Sequence, residues 1–542
     1  MNNVIPLVEE PDPSETNREA QVPTLELETI PSVPLEKTKP TEEKFHQALS
    51  SLLKSTGATY IQALTNFTSF TSLIYFVSLK HDTKMIGYFG LGTTIQFVFV
   101  VSFIIALNQG LSTVGSQAFG AGNYKLLGLY YKRAIVILML VVIPMAILLM
   151  NSSKFFLLIG VEKELAAGLQ DVLVHLLPSS VAVGLFDAGK NYLVAQKIFG
   201  PQSMIQMISI GIDLLIQYTF IVRFDLGFLG IGLARFMDEA GKFTMLCIYV
   251  KFSKQCQETT VPWSRECFKG LWKQFMDQLS AGGLMILDIF GSQLVLMQVA
   301  YLNEYQQAAN IIGTRVVNFC LLFTWSLQTA LSAFVGNSIG EANEKKMLRY
   351  TKAGLLVDGI LVLMTWVFVG TQGGRIARIF SNDQDVIHYV EGLIGLYMLI
   401  SPVDNLQCIL GGVLRSAGKG KSVSRLFMIT YYPVSIPVSF LLAHYLHYEI
   451  YGLYMTIFIV KGVNAVMMVV MFKKLNIQEQ IAKVLENVKE DEKSMHEPKP
   501  SDMELALEET ETNATPGSKK HLKEDEEKAV ESFGDIVQAS EA

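Results

Sequence analysis

Apolar runs long enough to cross a membrane recur twelve times between residues 48 and 473, separated by short polar turns. A helix needs about 20 mostly apolar residues to span the hydrocarbon core. The pattern predicts helices near 48–78, 86–116, 124–150, 167–197, 202–223, 227–252, 271–302, 307–338, 349–371, 387–417, 423–447 and 450–473, here called spans 1 to 12. Several are longer than a bilayer requires, so tilt or extension into the headgroups is expected. The fold class that follows is an all-α polytopic membrane protein with twelve transmembrane helices.

The pattern repeats. LSTVGSQAFGAGNYKLLGLYYKRA (111–134) aligns with LSAFVGNSIGEANEKKMLRYTKAG (331–354) at an offset of 220, with Leu, Ser, Gly, Asn, Lys, Tyr and Lys identical. Six spans separate equivalent points, so the halves point the same way. Two six-helix lobes related by a pseudo-twofold axis along the membrane normal are predicted, which is a transporter architecture.

Charge sharpens the picture. The chain of 542 residues is 50% hydrophobic and 17% charged, below the roughly 25% of soluble domains. Residues 1–43 and 486–542 together carry −17, which leaves the middle at +11 against the overall −6. The turns after even-numbered spans hold about nineteen Lys and Arg and the opposite set about seven, which by the positive-inside rule puts both termini in the cytoplasm. The expected organisation is an acidic disordered tail (1–45), a first lobe (46–252), a cytoplasmic linker (253–270), a second lobe (271–474) and an acidic tail (475–542). That last tail opens with a short amphipathic helix near 475–488 and continues as disorder. The resident membrane is expected to be the plasma membrane or a vacuolar or other endomembrane, and the protein a monomer.

The N-terminus lacks a basic and an apolar signal region. The five cysteines show no metal spacing. No nucleotide loop, zinc pattern or nucleophile elbow appears, so an enzyme, a bound cofactor, a metal and a nucleic-acid partner are not expected.

Ionisable groups at membrane depth cost several kcal/mol and are functional suspects by default. Asp288 in span 7 has no base on its own helix placed to neutralise it, and with Asp404 in span 10 it reads as an unpaired acid able to take or share a proton or a cation. Pro402 removes a backbone donor beside Asp404. Asp187 and Lys190 in span 4 are three apart and predict a self-neutralising pair. Asp213 in span 5 has only Gln217 one turn on. Arg315 in span 8 and Lys461 in span 12 are possible counter-charges, and Gln62, Asn66 and Gln293 are cavity polar groups.

Three strings then point to a family. Residues 117–123 (QAFGAGN), 335–341 (VGNSIGE) and 412–418 (GVLRSAG) resemble, in order and at matching spans, motifs of the multidrug and toxic compound extrusion (MATE) transporters. The resemblance covers roughly 45–473. It implies two lobes around a central cavity and export of organic cations, xenobiotics or metabolites as small-molecule substrates. It also implies exchange for H⁺ or Na⁺ by alternating access. Asp288 falls where the family carries a span 7 carboxylate, often Glu followed by Trp. Asp404 falls on the span 10 acid, and Asp213 with Gln217 on a span 5 polar pair. The span 1 acid of many prokaryotic members has no counterpart here. The alternatives are an organic-anion exporter or lipid-linked flippase of the same superfamily and, from another class, a channel or a non-transporting scaffold.

Overall fold

The computed structural model describes residues 44–80, 83–158, 160–380 and 383–496. The tails expected to be disordered, 1–43 and 497–542, lie outside them.

Among the described residues, nine helical stretches are long and apolar enough to cross a membrane. One of these, Gln384–Tyr445, is two traversals. It breaks at Gly418, whose φ of 77° is the left-handed conformation that glycine adopts without a Cβ penalty. Phe45–Lys80 and Gly227–Phe252 complete the twelve. Their lower apolarity has a local cause: Gly227–Phe252 carries Arg235, Asp238, Glu239 and Lys242 within eight positions. The other spans are Lys84–Gly120, Tyr124–Met150, Lys163–Ala195, Gly200–Arg223, Leu271–Tyr301, Glu304–Gly340, Glu344–Phe380 and Glu449–Lys473.

The repeated motif is one turn built twice. Asn123 Oδ1 accepts from Leu126 N at 3.1 Å, and Asn343 Oδ1 accepts from Lys346 N at 2.9 Å, so each asparagine caps the helix that follows. The residue before each asparagine is left-handed: Gly122 with φ 80° and Ala342 with φ 55°. The second half thus tolerates an alanine where the first uses glycine.

Spans 4 and 6 pack closely in the first half, and spans 10 and 12 in the second. Between halves, span 1 lies on span 8, span 2 on span 7, and span 2 on span 8. Small residues allow the approach. A Cβ on Gly282 would overlap the carbonyl of Ala106. Every hydrogen bond between the halves among the described residues lies toward one end of the bundle, here called the basic face, where even-numbered spans finish. Thr59 Oγ1 donates to Ser326 O (3.1 Å), Asn337 Nδ2 to Ala195 O (2.9 Å), Gln117 Nε2 to Ser416 O (2.8 Å) and Arg415 Nη1 to Gln109 Oε1 (2.6 Å). Farther from that face, aromatic contacts replace them: Phe67 with Phe319 and Phe99 with Phe290.

After span 12 a helix of 20 residues, Ile477–His496, packs under the bundle. Ile481 and Val484 enter a core cluster with spans 8 to 10, and Val488 enters one with spans 2 to 4. Asp491 accepts from Lys273 Nζ at 2.7 Å and from the Tyr130 hydroxyl. The apolar stripe read from the sequence therefore faces protein and spans both halves.

Candidate functional site

Two buried polar clusters sit at membrane depth, one in each half.

In the second half, Lys461 of span 12 reaches the acids of spans 7 and 10. Its Nζ lies 2.5 Å from Asp404 Oδ1 and 3.8 Å from Asp288 Oδ1. This corrects the expectation that both acids are unpaired: the base comes from another helix, 57 residues beyond Asp404. The two acids are not equivalent. Asp404 and Lys461 side chains keep 9% exposure each, whereas Asp288 keeps 30%. Asp288 is held chiefly by neutral donors, the Tyr431 hydroxyl and Gln407 Nε2 (3.2 Å). Asp404 is therefore the locked partner of Lys461, and Asp288 is the reachable acid.

Local structure explains the reach. Tyr431 sits in the π-helical segment Thr430–Val434, which contains Pro433. Such bulges redirect side chains and are common at functional sites. A Cβ on Gly291 would overlap the Tyr431 ring, so glycine one turn past Asp288 lets the tyrosine lie against span 7. On span 10, Pro402 cannot bond the carbonyl of Met398, and the Trp366 indole of span 9 donates to that carbonyl at 2.8 Å. Asp404 thus follows a helix turn whose freed acceptor is satisfied from outside. Asp358 of span 9 is buried, Oδ1 has no hydrogen-bond partner, and the residue is within electrostatic range of Asp404. Two of these three acids share Lys461, and Asp358 has no ion pair among the described residues.

In the first half, Asp213 Oδ2 accepts from Ser69 Oγ (2.5 Å) and Gln217 Nε2 (2.8 Å), and Gln217 Oε1 accepts from Ser72 Oγ (2.8 Å). Span 5 and span 1 are stitched together there. Arg235 Nη1 donates to Ser69 Oγ at 3.3 Å. Farther along span 6, Lys242 Nζ lies 2.6 Å from Asp238 and 3.2 Å from Glu239, with Arg235 3.6 Å from Glu239 and 3.8 Å from Asp238. Asp187 pairs with Lys190 in span 4, and Asn191 Nδ2 also donates to Asp187 Oδ2 at 3.2 Å. Of the buried acids in this half, Asp187, Asp238 and Glu239 have a base within one turn of their own helix, and Asp213 does not.

The remaining sequence candidates are placed as follows. Arg315 is exposed, with its guanidinium 6.0 Å from the Phe70 ring and no carboxylate in salt-bridge range among the described residues. That corrects its reading as a counter-charge to the span acids. Gln293 is half-buried but makes no hydrogen bond to Asp288, because Gln407 takes that place. Gln62 is buried with Nε2 unpartnered, and Asn66 is exposed.

Sequence reasoning missed the span 6 quartet, Asp358, Tyr431, Gln407 and the buried Arg415. The quartet was visible as RFMDEAGK inside an apolar run. The partners of Asp288 were not visible, since tyrosine and glutamine are ordinary inside long helices.

The MatE family model matches residues 49–219 and 282–441, more than half of the chain. Protein DETOXIFICATION 17 of Arabidopsis thaliana is 26% identical over 377 residues, covering 68% of this chain and 78% of that protein. Multidrug and toxin extrusion protein 2 of Pongo abelii is 24% identical over 415 residues, covering 72% and 70%. The fold is similar to that of the eukaryotic MATE transporter AtDTX14, with a TM-score of 0.78 at 22% identity over 82% of this chain and 99% of that one. A MOP superfamily transporter from Pyrococcus furiosus gives 0.69 at 14% identity over 81% and 96%. With its duplicated six-span halves, an acid cluster in the second half and the family model matched in both, this chain belongs to the MATE family of multidrug and toxin extrusion transporters.

Proposed function

We propose that the protein is a secondary antiporter that exports organic cations, xenobiotics or metabolites in exchange for H⁺ or Na⁺, with the acid cluster of the second lobe as the coupling site. One observation carries the reading: Asp288 and Asp404 share the single base Lys461, and a further buried acid, Asp358, lies within electrostatic range of Asp404. An acid excess in a low-dielectric interior favours an added monovalent cation, whatever its source.

The geometry supports the following order of steps. Lys461 neutralises Asp404. Asp288, with 30% of its side chain exposed, is where proton, sodium and cationic cargo compete. Binding one excludes the others because all draw on the same charge, and the coupling is reciprocal. With its hydrogen bonds between halves gathered on the basic face, this conformation is the one that releases cargo on the far side. Inward opening must break those bonds. Positive-inside reasoning makes the basic face cytoplasmic, and the expected assembly is a monomer in the bilayer.

The test is flux in proteoliposomes holding the full chain, driven by a pH gradient in one arm and a sodium gradient in the other. Asp288→Asn is expected to abolish efflux coupled to either gradient while thermal unfolding stays cooperative. Coupled efflux at the wild-type rate by that variant would remove Asp288 from the mechanism. A second reading, export of organic anions, is favoured by Arg315, exposed and stacked on Phe70. In that case Arg315→Ala would impair transport more than Asp288→Asn.

A further inference from the structure

We propose that the segment joining the two halves, 253–270, forms with the adjacent ends of spans 3, 6 and 7 a docking surface for anionic phospholipid headgroups in the leaflet at the basic face. The argument rests on how the segment is held, how deep it sits, and what its outer side carries.

The segment is bolted to the first half. Cys256, Thr259 and Cys267 are fully buried. The Tyr192 hydroxyl and Thr259 Oγ1 share a hydrogen bond of 2.5 Å, Thr259 Oγ1 donates to Gln196 Oε1 at 3.1 Å, and Arg133 Nε donates to the carbonyl of Glu266 at 3.2 Å. A Cβ on Gly128 would overlap the carbonyl of Thr259. A segment anchored by so many buried polar bonds has a fixed outer side.

Its height follows from span 3. The uninterrupted apolar run there is 134–150, seventeen residues or about 26 Å of helix. That nearly fills a hydrocarbon core of about 30 Å. Lys132 and Arg133 therefore mark the edge of the acyl region. Lys132 Nζ lies 4.5 Å from the Trp263 ring centroid, which places Trp263 at headgroup level. Tryptophan favours that depth because one end of the ring is apolar and the other can bond to water.

The outer side is both aromatic and basic. Trp263, Phe268 and Trp272 keep 54%, 61% and 72% of their exposure, a large apolar surface for three residues near one another in the chain. The bases among them are Lys132, half-buried, and Lys251 and Arg265, exposed. Lys251 Nζ lies 5.7 Å from the Phe252 ring, repeating the base-on-aromatic arrangement of Lys132. Residues 251–270 hold four bases against the two acids Glu258 and Glu266. Aromatic rings at the acyl boundary bind any phospholipid, and the cationic excess selects those with net negative headgroups. Since the segment links the halves, its hold on the leaflet anchors the first half while the second moves.

Tryptophan quenching by lipids brominated on the acyl chain tests this. The full chain is reconstituted in phosphatidylcholine bilayers, with either brominated phosphatidylserine or brominated phosphatidylcholine as the quencher at equal mole fraction. The signal of Trp263 and Trp272 is taken as the difference between the native protein and Trp263→Phe/Trp272→Phe. We expect brominated phosphatidylserine to quench this signal at least about twofold more strongly, with the preference fading at high salt. Lys132→Gln/Lys251→Gln/Arg265→Gln should erase the preference while leaving quenching by phosphatidylcholine in place. Equal quenching by both lipids would overturn the selectivity. Absence of quenching would show that the surface faces water or another protein and would overturn the proposal outright. Neither outcome depends on the transport reading, because no flux is measured.

Discussion

The two halves descend from one repeated pattern yet handle buried charge differently. In the first half, acids and bases alternate along single helices: Asp187 with Lys190, and Asp238 and Glu239 with Arg235 and Lys242. In the second half, none of the deep acids Asp288, Asp404 and Asp358 is paired by a base on its own helix among the described residues, and Lys461 must serve acids on spans 7 and 10 with Asp358 nearby. Charges three or four apart on one helix travel together when lobes rock. A charge cluster drawn from three helices feels any change in their spacing. On the proposed reading, the second half senses a mobile cation and the first stays rigid around its polar seam.

Removing Lys461 gives the largest expected effect. Breaking a buried pair by deleting one partner costs about 3–5 kcal/mol, because the remaining charge is stranded. Lys461→Met is expected to lower the thermal unfolding temperature sharply and to reduce yield. Adding Asp404→Asn to it should restore much of the loss, since that double change removes the pair together. A failure of the double variant to recover would mean that Asp404 is not the principal partner.

Next comes the contrast between halves in transport. Asp288→Asn is expected to lower gradient-driven efflux at least tenfold, equivalent to about 1.4 kcal/mol or more. Asp213→Asn should lower it by less than about threefold, because Ser69 and Gln217 can still bond the amide and the nearby charges are paired along span 6. Initial rates for the two variants in the same vesicles decide this, and equal losses would erase the functional distinction between lobes.

A smaller effect is expected at the helix under the bundle. Asp491 ties span 7 through Lys273 and span 3 through Tyr130. Hydrogen bonds to charged groups contribute about 1.5–3 kcal/mol, less when half-exposed as Lys273 is. Asp491→Asn should let the halves part more often at the basic face. Spin labels at positions 125 and 345, equivalent points of the repeat, would show it as a broader distance distribution. An unchanged distribution would mean that the helix is a passenger.

The smallest effect belongs to the rim of the seal. Lys197 of the first half lies 3.1 Å from Glu341 of the second, and Lys346 lies 2.6 Å from the same carboxylate. Burial alone would push the Glu341 carboxyl up, but the two lysines outweigh it and hold it below its ordinary range. A depressed carboxylate contributes stability that is complete above its unfolded pKa, near 4.3, and is lost as pH falls through the lower folded value. The bridge should therefore survive to mildly acidic pH and give way only as pH falls below the ordinary glutamate range. Glu341→Gln should remove that acid-dependent part and cost no more than about 1 kcal/mol, as exposed pairs do. Label distances followed across pH in both proteins provide the check.

Much is legible in the sequence. Hydropathy is a local property, so twelve spans, their short turns and the duplication could be read directly. Asp187 with Lys190 was legible too, because i, i+3 spacing fixes neighbours on a helix. The span 6 quartet is equally local, since RFMDEAGK sets its acids and bases three and four apart on one helix. Asp288 and Asp404 could be named as unusual, but their environment could not. Tyr431 reaches Asp288 across 143 residues, and Trp366 satisfies the carbonyl that Pro402 frees.

The sequence by itself determined which segments enter the bilayer, that the halves are repeats, and which ionisable groups cross with them, because each depends only on the cost of moving a residue and its near neighbours out of water. Tertiary structure alone decided which acid is locked and which is open. That choice depends on where span 12 places one ammonium group between two carboxylates, and electrostatic energy in a low-dielectric interior changes steeply over the 1 to 2 Å that separate a held ion pair from a loose one.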